Sequence, residues 1–140
     1  MRRGEGYTVN VLLSGGKTDE DYLYIFKKIL SPIASAFNPD FILLSAGFDI
    51  CIGGPLGGMQ VTGEGFGALV FQLLELAYSH SEGRILAALG GGYDLRGLRD
   101  GVKHVLLQLS RKAEKPNIEG KTALRTESEL TPVFETQKKF

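Results

Sequence analysis

At 140 residues, with 43% of positions apolar, the chain has the length of one domain and enough apolar side chains to bury a core. Lysine plus arginine and aspartate plus glutamate number 16 each, a balance that excludes the broad field of a basic nucleic-acid binder or of a protein drawn to anionic membranes. A single cysteine, Cys51, excludes an internal disulfide and suits a reducing, cytoplasmic setting, and no apolar run reaches membrane-spanning length.

Thr8–Leu13 is β-branched and apolar and predicts a first strand, closed by the turn-forming Ser14, Gly15 and Gly16. From Asp19 onward, Tyr22, Ile25, Phe26, Ile29, Leu30, Ile33 and Phe37 fall at the spacing of one helical face. That helix should be disturbed at Pro32, which has no backbone N–H, and should end at Asn38 and Pro39. The continuous apolar run Phe41–Ala46 predicts a strand covered on both faces. A glycine-rich loop, Gly47–Gly58, follows, and Thr62 can cap a helix reaching about Tyr78. Arg84–Leu89 repeats the buried-strand pattern, which Gly90, Gly91 and Gly92 then interrupt. Asp94 can cap a last helix, with Leu95, Leu98, Val102, Val105, Leu106 and Leu109 as its apolar face. Beyond Lys115 the periodicity stops, so residues 115–140 are expected to form a mobile tail after a domain of residues 1–114.

Alternating strands and helices predict an α/β fold of three layers, helices on both sides of a parallel sheet. Three parallel strands leave two open edges, so the sheet is expected to belong to a larger one or to be completed by another copy or a complementing chain. In such sheets ligands bind beyond the carboxyl ends of the strands, which directs attention to the two glycine-rich loops. There, Asp49 offers a hard oxygen ligand, and Tyr93 offers a hydroxyl able to donate to a developing oxyanion. Taken singly, each also fits a structural role, the aspartate closing a turn and the tyrosine packing a loop. The triple glycine lacks the Gly-Lys-Ser/Thr sequel of a phosphate loop. Cys51, with no histidine near it in sequence, reads as a structural thiol, and His80 and His104 read as surface or packing residues.

Four segments in order, Phe37-Asn38-Pro39, Ser45-Ala46-Gly47-Phe48-Asp49, Gly54-Pro55-Leu56-Gly57-Gly58 and Gly90-Gly91-Gly92-Tyr93-Asp94-Leu95, change the weighting. Together they resemble the carboxy-terminal third of the histone deacetylase and acetylpolyamine amidohydrolase superfamily, its bacterial or class II-like members above all. The resemblance runs from about Tyr7 to Leu109. It implies the arginase-deacetylase fold and a zinc ion that activates water against an N-acetyl amide of lysine or of a polyamine. Asp49 matches one of the family's zinc-binding aspartates, and Tyr93 matches the tyrosine that bonds the acetyl carbonyl. Leu56 matches a residue at the pocket rim, and Gly91 and Gly92 match the wall of the substrate channel. Gly54 stands where the family usually has aspartate, and Gly90 resembles the class I form. The paired histidines and the Asp-x-His ligands of the family lie upstream of the matched part, so these residues are expected to form a fragment of the site, inactive alone.

Overall fold

The computed structural model describes residues 6–120 and 124–138. Helix α1 spans Asp19–Ile25, and the side chain of Asp21 reaches back to the backbone N–H of Thr18 at 3.1 Å, satisfying a donor that the helix leaves over. The chain stays helical through a wider π turn, Phe26–Leu30, before helix α2 at Ser31–Phe37. Pro32 sits near the start of α2, so the disturbance expected at this proline takes the form of a π turn just ahead of it. Asn38 ends α2 in the left-handed region, at φ 52°, with its N–H on the carbonyl of Ala34.

Strands β1 (Ile42–Gly47) and β2 (Ile85–Gly91) pair in parallel, Ile42 opposite Ile85 and Ala46 opposite Leu89. Between them runs α3 (Gly63–His80), and after β2 comes α4 (Leu95–Leu109). Both expected caps are present: the Thr62 hydroxyl accepts from Gly65 N–H at 3.1 Å, and the Asp94 carboxylate accepts from Gly97 N–H at 2.6 Å. Phe66, Val70 and Leu74 of α3 and Val105 of α4 meet the inner face of the sheet through Leu44, Ala46 and Ile85, around Phe48 and Cys51. This is the α/β fold with a parallel sheet that the alternation of elements requires.

Three expectations are corrected. Thr8–Leu13 pairs with no strand among the described residues; its alternate residues Val9, Val11 and Leu13 pack instead on Ile25, Ile29 and Leu130. Alternation is the same signal whether the partner is a sheet or a helix surface, which is why the segment reads as a strand. The strands are covered on one face only: Leu43 is 76% exposed, Leu86 54% and Leu89 67%, so an apolar sheet face lies open within these residues. Finally, the segment after Lys115 carries helix α5 (Leu124–Gln137), whose Leu130 is fully buried against Ile25 and Ile29.

A buried polar network holds α5 in place. The Lys17 ammonium donates to the Thr126 hydroxyl at 2.8 Å and pairs with Glu129 at 2.9 Å, while Thr126 donates to Asp21 at 2.8 Å. Ser14 donates to Glu129 at 2.5 Å. Through these bonds the turn after the first segment, α1 and α5 are tied together, each charge compensated as burial requires. No helix among the described residues is long and apolar enough to cross a membrane.

Candidate active site

β1 and β2 end side by side. Gly47 pairs with Gly91 past a local register shift, and the Phe48 N–H donates to the Gly91 carbonyl at 3.0 Å, carrying the pairing one residue beyond Gly47. Thus β2 runs through Gly90 and Gly91, two residues further than the sequence pattern gives it. Asp49 and Tyr93 each stand two residues past this paired glycine couple. The structure therefore brings the two sequence candidates to neighbouring carboxyl ends of one parallel sheet, where α/β proteins place their ligands.

The carboxylate of Asp49 lies over Gly91. A methyl group built there would run into the Asp49 Oδ2 and stand 3.0 Å from its Cγ. The side chain that Gly91 lacks would fill the space that the carboxylate occupies. No hydrogen bond from another described residue reaches the Asp49 carboxylate, so its oxygens remain free to bind an ion. Tyr93 is 68% exposed, and its hydroxyl too is free of protein partners among the described residues. Gly92, at φ 127°, makes the turn between the Gly91 seat and Tyr93, a conformation that favours glycine.

Leu56 sits on the loop after Asp49 and is 70% exposed. Gly57 is pressed against the Asp49 carbonyl from the same loop, and the N–H of Gly54 donates to the Cys51 carbonyl at 3.0 Å. Cys51 is buried; burial pushes its thiol pKa up, and the Asp94 carboxylate adds to the rise. A thiol held protonated is a poor nucleophile, as its reading as a structural residue requires. His80 bridges helix ends, with Nδ1 3.0 Å from Asn38 Oδ1 and Nε2 3.1 Å from Ser35 Oγ, and His104 rests on its own helix at the Asp100 carbonyl, 2.9 Å away. Neither stands with Asp49, and among the described residues no group of three or more His, Cys, Asp or Glu side chains could hold a metal ion.

The comparison with known proteins is decided by one match: the family model described as histone deacetylase domain covers residues 1–109. The chain belongs to the histone deacetylase family. Histone deacetylase 18 of Arabidopsis thaliana is 48% identical over 96 residues, 68% of this chain and 14% of that protein. A probable deacetylase of Archaeoglobus fulgidus is 37% identical over 95 residues, 68% of this chain and 26% of the relative. The crystal structure of the HDA15 HD domain superposes with a TM-score of 0.86 at 34% identity, over 100% of this chain and 37% of the other. These 140 residues therefore span well under half of each histone deacetylase relative compared. The fold shared with that solved domain is the arginase-deacetylase α/β fold, as the four sequence segments imply.

Proposed function

We propose that this chain supplies part of a zinc-dependent site that hydrolyses N-acetyl-lysine amides, with Asp49 as one metal ligand and Tyr93 as the donor to the acetyl carbonyl. The observation that carries the reading is the placement of Asp49, with an unengaged carboxylate, beside Tyr93 at the ends of paired strands in a histone deacetylase fold. The donor chemistry fits zinc only in part: a carboxylate is a suitable ligand, but a catalytic zinc takes three protein ligands, and the described residues hold no group of three His, Cys, Asp or Glu side chains that could bind a metal ion. The other ligands, and the general acid and base, must then come from outside these residues, and the chain alone is inactive. When bound, zinc would supply Lewis-acid polarisation of the amide carbonyl and an acidified water.

The chain's own residues direct the ligand and the substrate. Gly91 leaves room for the Asp49 carboxylate, so the ligand is directed before any metal arrives. The Tyr93 phenol, free of protein partners, can donate to the carbonyl oxygen and hold that bond as negative charge develops there. Leu56, apolar and exposed on the loop after Asp49, suits the neutral stem of acetyl-lysine. An acetylpolyamine, whose stem carries charge, is the runner-up substrate.

Kinetics in a complete deacetylase domain carrying this segment test the roles. Tyr93→Phe should lower kcat by about 10²–10³ with zinc retained, the cost of losing one donor to an oxyanion. Leu56→Glu should shift preference from an acetyl-lysine peptide toward acetylspermidine. Unchanged kcat in the first variant would remove Tyr93 from the chemistry, and unchanged preference in the second would remove Leu56 from the rim.

A further inference from the structure

Asp49 is bracketed in the chain by two buried side chains, Phe48 at 2% and Cys51 at 3% exposure, and both press on glycines of the segment that carries Tyr93. A Cβ on Gly97 would stand 2.5 Å from the Cys51 sulfur and 2.9 Å from its Cβ. On the other side of the thiol, a Cβ on Gly54 would stand 3.0 Å from the sulfur and 2.9 Å from the Cys51 carbonyl. Phe48 fills a matching hollow, 2.9 Å from a Cβ built on Gly92 and 2.5 Å from one on Gly101. Gly97 and Gly101, four residues apart, lie on one face of α4. The loop itself is pinned: the Cys51 N–H donates to the Phe48 carbonyl at 3.2 Å, Ile52 N–H to Val61 at 2.9 Å, and Val61 N–H to Ile50 at 3.1 Å.

We propose that Cys51 is a positioning residue, a buried thiol seated on Gly97 that sets the Asp49 loop against the Tyr93 turn. The seat links the two halves of the site because Gly97 belongs to the first turn of α4, capped by Asp94, the residue next to Tyr93. Because the backbone on both sides is hydrogen-bonded, a displaced thiol moves Asp49 with it. Gly54 belongs to the same arrangement: a side chain there would compete with the thiol for space. What the seat serves rests on the deacetylase reading above; the seat itself does not.

The sign of one substitution discriminates. On helix propensity alone, Gly97→Ala would stabilise α4, whereas the seat makes it damaging. In the 140-residue chain, thermal unfolding and the amide NMR shifts of Asp49 and Tyr93 are measured for Gly97→Ala, for Cys51→Gly, and for the pair combined, with Cys51→Ala plus Gly97→Ala as a second combination. Gly97→Ala should lower Tm and shift both amides, though neither residue is altered; combined with Cys51→Gly it should regain most of the Tm and return the amides toward their starting positions, and combined with Cys51→Ala, which keeps a Cβ 2.9 Å from the new methyl group, it should regain a smaller part. If Gly97→Ala alone does not fold, recovery of folding in either combination is the same rescue. A raised Tm in Gly97→Ala, strictly additive effects, or combinations that stay unfolded would overturn the proposal. None of these readouts needs a metal, so rescue in a protein whose zinc uptake ignores Asp49 would leave the seat standing and refute the deacetylase reading instead.

Discussion

The side chain that Gly91 lacks is as informative as the carboxylate above it. Gly91→Ala should push Asp49 aside and cost about 1–3 kcal/mol of stability, the usual range for added bulk in a packed place, read as a shift in the urea midpoint. At the next turn, Asp94→Ala removes the acceptor for Gly97 N–H and should cost about 0.5–2 kcal/mol, the measured range for N-caps, by the same method. Both caps were legible in the sequence, because a polar residue directly before a helical stripe has few structural options, and so was the placement of Asp49 and Tyr93 past the strand ends, whereas the roles proposed for those two rest on the family resemblance. The Gly91 seat and the hold of Cys51 on Gly97 were not legible, since they depend on which glycine faces which side chain across different elements. The parallel register of β1 and β2 decides the first, and the packing of α4 against the loop after β1 decides the second.

Among the elements, β1, β2, α3 and α4 follow from apolar runs and helical spacing, and so does the helix from Asp19 to Phe37, apart from its π turn. Helix α5 did not announce itself. Its buried Leu130 and the half-buried Val133 and Phe134 have the right spacing, but the stripe is short and Pro132 lies inside it, an ordinary sign of interruption. Packing on Ile25 and Ile29 outweighs that local cost. Leu130→Ala should therefore cost about 2–5 kcal/mol, as for other fully buried leucines, with hydrogen exchange in α5 accelerating first. The polar network adds a pH dependence. Hydrogen bonds from Ser14 and Lys17 lower the Glu129 pKa from 4.5 to about 2. A carboxylate depressed in the folded state stabilises above its unfolded pKa, and this contribution is lost as pH falls from about 4.5 toward 2. Thermal unfolding across that window should show Glu129→Gln losing part of the wild-type pH dependence; equal slopes would mean that Glu129 does not anchor α5.

Taken as a whole, the chain presents an apolar sheet face, with Leu43, Leu86 and Leu89 exposed, and on the proposed reading it contributes one zinc ligand, Asp49. Both are what a part of a larger parallel sheet presents when isolated, and the chain matches 37% of a solved histone deacetylase domain. The central claim is that Asp49 completes a catalytic zinc site together with ligands from the remainder of such a domain. The most direct test grafts residues 7–109 into the corresponding place of a complete histone deacetylase domain and determines zinc per chain by elemental analysis, with Asp49→Ala as the comparison. The account predicts about one zinc per chain in the graft, the occupancy of a three-ligand catalytic site, and little in Asp49→Ala. Full zinc occupancy in a folded Asp49→Ala graft would contradict it.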